Sequence, residues 1–186
     1  GHGVPGAFMS ILASSALQRS IELVGHSDPG TILTKANHLF HEDLSRSGNP
    51  NIQDGMDMVM CSYNKESNEL KLAGANLSVH VISNATIAEY RTDKGGICMG
   101  SPDRIFKTTS VKLEKGNHVY ISSDGYYDQF GGERDKRIGK RSYREKLIDI
   151  SSSPVPNQHE QLVAFFEQWK GDSFQVDDVC LIGFRC

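Results

Sequence analysis

The stretch Val119–Phe130, VYISSDGYYDQF, decides the fold. It opens as an alternating strand over Val119, Tyr120 and Ile121 and breaks at Asp124-Gly125, a turn-forming pair. A strand that ends this way carries a carboxylate to the rim of its sheet. A matching piece lies at the far end, Gln175–Arg185, QVDDVCLIGFR, where Asp177-Asp178 stands immediately before a Val-Cys-Leu-Ile strand. Two carboxylate-tipped strand ends meeting at one sheet edge offer the oxygen ligands that hard divalent ions require. Taken alone, an Asp-Gly after a strand is also an ordinary turn; the pairing with Asp177 is what raises a chemical reading above it.

Working outward, the segment before this stretch reads as a strand meander. Met56–Tyr63, Leu70–Ala73, Leu77–Ile82, Ala85–Arg91, Ile105–Leu113 and His118–Ser122 are strand-like runs with short turn-rich connections, and residues 95–103 form a Gly-rich loop. Short connections imply antiparallel hairpins, because parallel crossovers need a dozen or more residues. Ahead of the meander, Phe8–Val24 reads as a helix closed by Gly25. It has one apolar face of Met9, Ala13, Ala16, Leu17 and Leu23 and a second of Phe8, Ile11 and Leu12, so both should be covered. Ser27 or Asp28 caps the next helix, opened by Pro29 and followed by the turn-rich residues 47–54. After the key stretch comes a basic segment, Gly131–Lys146, read as solvated loop and helix face. Helices follow at Arg141–Ile150 and Pro156–Lys170, the latter with Leu162, Phe165, Phe166 and Trp169 at helical spacing. The order is helix pair, meander, helix pair, final strand. It predicts an α+β fold of antiparallel sheets covered by helices, not a doubly wound parallel sheet.

The 186 residues suit one domain with a substantial core. A net charge of −3 supplies no basic field for nucleic acid or an anionic membrane. No apolar run approaches the roughly 20 residues that span a bilayer. The four cysteines, at 61, 98, 180 and 186, match neither a zinc motif nor a disulfide scaffold. Cys61 and Cys180 sit in apolar runs and are expected to be buried reduced thiols, which suits a reducing cytoplasmic setting.

Five segments in order, GHGVPGAFMS (1–10), DGMDMVMCSYN (54–64), LKLAGAN (70–76), VYISSDGYYDQFGG (119–132) and QVDDVCLIGFR (175–185), together resemble the phosphatase domain of stage II sporulation protein E. That domain belongs to the metal-dependent (PPM, or type 2C) protein serine/threonine phosphatases. The resemblance implies an α-β-β-α sandwich of two antiparallel sheets with helices outside. It implies hydrolysis of phosphoserine or phosphothreonine by a water bridging two Mn²⁺ or Mg²⁺ ions, without a covalent phosphoenzyme. Carried over by position, Asp124 and Asp177 are the metal-ligating and catalytic aspartates. Gly125 permits the tight turn beside Asp124, Asp178 completes the DD pair, and Asp128 is an acidic position that follows the motif. Gly1 and His2 belong to the GHG motif; His2 is read as structural or as a phosphate-side contact rather than as a general acid.

The resemblance also implies acidic ligands upstream of GHG, which this sequence does not contain. The chain is therefore expected to be a single domain over residues 1–186 from the C-terminal part of a longer protein. On its own it is expected to be weakly active or inactive, with one weakly held ion or none. Strand edges left open by the missing strands point to homodimerisation or strand exchange. Asp54, Asp57, Asn76 and His80 are read as turn or hydrogen-bonding residues, and His38 and His41 as non-ligands. By resemblance, the partners are a phosphoprotein of the anti-anti-sigma type and an upstream sensor module, in a cytoplasmic domain whose parent could be membrane-attached; nucleic acid is not a partner. The competing reading is a non-catalytic interaction domain that kept the fold. A nucleotide-binding loop at GHGVPG is disfavoured, since no strand precedes it and no Lys-Ser/Thr follows.

Overall fold

The computed structural model describes residues 3–26, 28–46 and 55–186. The chain divides into two compact units, Gly1–Asn76 with Thr92–Lys112, and Leu77–Arg91 with Leu113–Cys186.

In the first unit, α1 (Gly3–Val24) and α2 (Pro29–Arg46) accompany a three-stranded antiparallel sheet in the order β1-β2-β5, with β1 Met58–Asn64, β2 Glu69–Ala75 and β5 Thr109–Lys112. Two apolar clusters hold it. Ala13 and Ala16 of α1 meet Leu39, Phe40 and Leu44 of α2, and Leu33 of α2 packs on Ala73, Ala75, Ile97 and Phe106. Small alanines at the α1 contact let the two helices approach closely, and Arg19 and Asp43 bridge them at 2.9 Å. Asp28 is the N-cap of α2: its Oδ2 accepts the Thr31 amide at 3.1 Å, satisfying a donor that the first helical turn leaves free.

Two expectations fail here. The second apolar face of α1 is only partly covered, with Phe8 64% and Ile11 66% exposed and Leu12 alone packed on the core, and Leu23 of the first face is 65% exposed. The strand expected over Ile105–Leu113 shrinks to Thr109–Lys112. The reason is where the preceding backbone spends its hydrogen bonds. Phe106 N–H goes to Thr34 Oγ1 at 3.0 Å, and Thr108 Oγ1 donates to Asp28 and accepts from Gly30 N–H. These residues follow α2 instead of a neighbouring strand.

The Gly-rich loop is fastened within the same unit. Buried Asn37 donates to the carbonyls of Ser101 and Pro102 and accepts from Cys98 N–H, while Arg104 donates to the carbonyls of Lys94, Gly95 and Gly96. Asn76, in the left-handed region at φ 62°, accepts from Gly95 N–H and donates to Asp57.

The second unit has a four-stranded antiparallel sheet in the order β4-β3-β6-β9, built from β3 Ser78–Ser83, β4 Thr86–Arg91, β6 His118–Ser122 and β9 Leu181–Arg185. A one-turn helix α3 (Gly125–Asp128), a small hairpin of β7 (Phe130–Gly131) and β8 (Lys136–Arg137), and helices α4 (Gly139–Ile150) and α5 (Val155–Lys170) complete it. Its core joins Ile82 and Tyr120 of the sheet to Tyr126, Tyr143, Leu147, Ile150, Leu162 and Phe166 of the helices. The expected apolar face of α5 divides: Leu162 and Phe166 are buried, Phe165 and Trp169 half-buried at its margin. The basic segment is largely solvated, as read, although Lys136 and Arg137 form a strand of the hairpin.

The last strand is shorter than expected. Val179 and Cys180 precede it, and Cys180 is exposed rather than buried. Cys98 is the buried thiol, and burial pushes it up to about 12, which leaves it inert. Both sheets are antiparallel and carry their own helices, the α+β class expected. No helix among the described residues is long and apolar enough to cross a membrane.

Candidate functional site

The site is built on the end of the second sheet. β6 and β9 pair antiparallel, with Ser122 opposite Leu181 and Ile121 opposite Ile182. In such a pair the end of one strand lies beside the start of the other. The residues that follow β6 and those that precede β9 therefore emerge at the same edge. Ser123 extends the pairing by one step, donating its N–H to the Cys180 carbonyl at 2.9 Å.

Beyond it the chain turns at Asp124-Gly125 into α3. Asp124 is the N-cap residue, and its carbonyl accepts the Asp128 amide at 2.9 Å; its carboxylate makes no capping bond and is exposed. Tyr126 anchors the turn, buried in the core with its hydroxyl donating to the Leu162 carbonyl at 2.8 Å. Gly125 is needed for space. A Cβ there would lie 2.4 Å from the Asp178 carbonyl oxygen and 3.3 Å from the Asp177 carbonyl carbon. The backbones of the Asp124 turn and the Asp177-Asp178 turn are thus in direct contact.

The structure places the sequence-derived residues as follows. Asp124, Asp177 and Asp178 are exposed carboxylates on two touching turns. Asp177 Oδ1 accepts the Asp178 amide at 2.7 Å, and the Asp177 carbonyl accepts from Gln175 Nε2 at 2.8 Å. Asp128 sits one helical turn on from Asp124, and its carboxylate is engaged by Arg137 at 3.2 Å. Gly1, His2 and Asp54 lie outside the described residues. Asp57 and Asn76 both belong to the first unit, where Asn76 donates to Asp57 in the hydrogen-bonding role expected of Asn76. His80 is buried and meets Tyr143 edge-on at 5.6 Å, and its buried Nδ1 makes none of the hydrogen bonds expected of it.

Two residues that the sequence reading passed over shape this edge. Gln129 is fully buried: its Nε2 donates to the carbonyls of Phe130 and Phe174, and its Oε1 accepts from Val176 N–H at 3.3 Å. Ser123 Oγ donates to the Asp178 carbonyl and accepts from Cys180 N–H, both at 3.0 Å. No local pattern advertises either role, since both partners are more than forty positions away.

The donor chemistry suits a hard cation. The carboxylates of Asp124 and Asp177 offer oxygen ligands with no lysine or arginine paired to them among the described residues, whereas Asp128 is already neutralised by Arg137. Among the described residues no group of three or more His, Cys, Asp or Glu is arranged to hold a metal; what the structure brings together is the backbone of the two turns that carry Asp124 and Asp177. A groove of about 750 Å³, lined by Gly132, Phe165, Trp169, Lys170 and Ser173, contains none of these carboxylates. The rim that carries Asp124, Asp177 and Asp178 is exposed and acidic.

Comparison with known proteins follows this geometry. A family model described as stage II sporulation protein E (SpoIIE) matches residues 1–186. The SiaA-PP2C domain of Pseudomonas aeruginosa is similar at 32% identity and a TM-score of 0.87, over 100% of this chain and 72% of that one. The PP2C phosphatase domain with a regulatory fragment of SpoIIE from Bacillus subtilis shares the fold at 12% identity and a TM-score of 0.71. The RsbU and RsbW domains of Rv1364c from Mycobacterium tuberculosis share it at 19% identity and 0.73. Both cover all of this chain, which spans 52% and 49% of their respective lengths. No curated protein matches. The chain belongs to the stage II sporulation protein E (SpoIIE) family, the PP2C-type phosphatase domains of bacterial signalling proteins.

Proposed function

We propose that this chain belongs to a metal-dependent protein serine/threonine phosphatase domain, with Asp124 and Asp177 as ligands to Mn²⁺ or Mg²⁺. The observation that carries the proposal is the seating of Gly125 on the Asp177-Asp178 backbone, which brings two unpaired carboxylate turns to one sheet edge. The metals are those named for two structures of the same fold, a SpoIIE phosphatase domain presoaked with Mn and RsbX in complex with magnesium. Bound there, such ions supply a water acidified to hydroxide near neutral pH and offset the phosphate's charge.

The chain's own residues do the rest. Asp124 and Asp177 hold positive charge at the rim through oxygen atoms. Gly125 keeps the two turns in contact. Asp178 adds negative charge beside them. Asp128, spent on Arg137, braces α3 against the β7–β8 hairpin instead of joining the ligand set. An open rim accepts a phosphorylated side chain on a protein surface. Regulatory proteins suit such a module, as the RsbU and RsbW domains joined in one structure of the same fold suggest, and by the family resemblance we read the partner as a phosphoprotein of the anti-anti-sigma type.

The test is Mn²⁺-dependent hydrolysis of p-nitrophenyl phosphate and of a phosphoserine peptide by this chain and by a version of it extended upstream. Asp124→Asn and Asp177→Asn should each lower the rate by more than roughly 100-fold, since even groups behind a metal's ligands are worth about 10–100-fold. Chelation by EDTA should abolish turnover, and excess Mn²⁺ should restore it. Equal rates for Asp124→Asn and the natural protein would remove Asp124 from the mechanism and leave a non-catalytic interaction domain as the reading.

A further inference from the structure

We infer that Ser123 and Gln129 are positioning residues that clasp the Asp177 loop onto the Asp124 turn and so set the spacing of the two carboxylates; the inference rests on the phosphatase reading above. Residues 172–180 form neither helix nor strand. A loop of this length has no ladder to fix its register, so its conformation depends on whatever captures its backbone groups. Three captures come from the segment that carries Asp124. At the near end Gln129 takes both the Phe174 carbonyl, at 2.9 Å, and the Val176 amide, at 3.3 Å. At the far end Ser123 takes the Asp178 carbonyl and the Cys180 amide through one hydroxyl. In the middle, Gly125 lets the two backbones touch. Asp177 lies between the two clasps.

The two side chains are suited to the role in different ways. Gln129 is wholly buried, and its amide bonds are all made to backbone, so it cannot rotate without stranding buried donors and acceptors. Ser123 acts as donor and acceptor at once, which only a hydroxyl of that length can do. Their sequence neighbour Asp124 therefore moves as one body with the loop bearing Asp177. For a cation shared between two carboxylates, a shift of well under 1 Å is the difference between holding it and losing it, because ligand distances are set within narrow limits.

The experiment measures Mn²⁺ binding to this chain by electron paramagnetic resonance, with amide hydrogen exchange as an independent readout. Gln129→Leu and Ser123→Ala should each weaken Mn²⁺ binding by roughly 10-fold or more, the range for groups that orient metal ligands. Ser123→Thr, which keeps the hydroxyl, should bind like the natural protein. Exchange should quicken at Val176–Cys180 and stay unchanged at the amides of β3 and β6, showing that the sheet is intact. If Gln129→Leu does not fold, the Ser123→Ala and Ser123→Thr pair decides. Unchanged Mn²⁺ affinity in a variant whose loop exchange has quickened would make the clasps merely structural and overturn the inference. Loss of affinity in Ser123→Thr equal to that in Ser123→Ala would do the same. If the natural chain binds Mn²⁺ no better than an Asp124→Asn, Asp177→Asn double variant, the metal site itself fails, and the inference fails with it.

Discussion

At the residue scale, the structure turns single polar side chains into switches between elements. Asp28 is the clearest in the first unit. Its carboxylate caps α2 and accepts Thr108 Oγ1 at 2.6 Å, and the same Thr108 hydroxyl accepts Gly30 N–H. The Thr108 hydrogen bond, helped by those from Thr31, holds the Asp28 carboxyl below the usual carboxylate range. Asp28→Ala should cost about 1–2 kcal/mol, the upper part of the range for a lost helix cap, read by urea denaturation. The sign with pH follows: a depressed carboxyl stabilises above its unfolded value near 3.9 and ceases to do so as acid protonates it. The difference between Asp28→Ala and the natural chain should therefore be full at pH 7 and shrink progressively as pH falls below about 3.9 toward the lowered folded value.

At the element scale, apolar side chains at helical spacing meet different fates, and mutation separates them. Leu162 on α5 is buried against Tyr126 and Phe166. Leu162→Ala should destabilise the second unit by about 2–5 kcal/mol, the range for emptying a packed leucine site. Ile11 on α1 is exposed, so Ile11→Ser should shift the melting temperature by little, because surface substitutions away from special features stay within about 0.5 kcal/mol. Paired thermal melts of the two variants check both. Strands show the same lesson. Ile105–Leu113 alternates well enough to read as one strand, yet its first half bonds to α2, and the ladder begins only at Thr109. Periodicity reports which residues face inward; it does not report which backbone groups will pair with which partner.

At the scale of the molecule, pH should act most strongly on the second unit, where two histidines are buried in the sheet. His80 is held below its usual value by burial first, with Arg144 and Lys140 adding to this and Glu89 opposing it. His118 is lowered by burial and then by Arg185. Both rings are neutral in the folded state, while the unfolded chain binds their protons near pH 6.5. Stability is full above that value and falls as pH drops toward the lowered folded values, because the unfolded state then binds more protons. Thermal melts at pH 8, 6.5 and 5 should show a decline on the acid side, and His80→Phe, which keeps a ring against Tyr143 and cannot titrate, should flatten part of it.

The sequence by itself determined the helices, most of the strands, the α+β class and the identity of the aspartates worth following. Those features rest on local spacing: apolar residues at helical or alternating intervals, a proline opening a helix, an Asp-Gly at a strand end. Only the tertiary structure decided that β6 and β9 run side by side in opposite directions, which is why the turns of Asp124 and Asp177 share an edge. It alone showed Gln129 and Ser123 binding the later loop, Asp128 given to Arg137, and Phe8 and Ile11 left in solvent. The physical reason is common to all of these. A hydrogen bond or ion pair between distant positions leaves no period in the chain, and its existence depends on which groups the folded backbone happens to leave within three ångströms of each other.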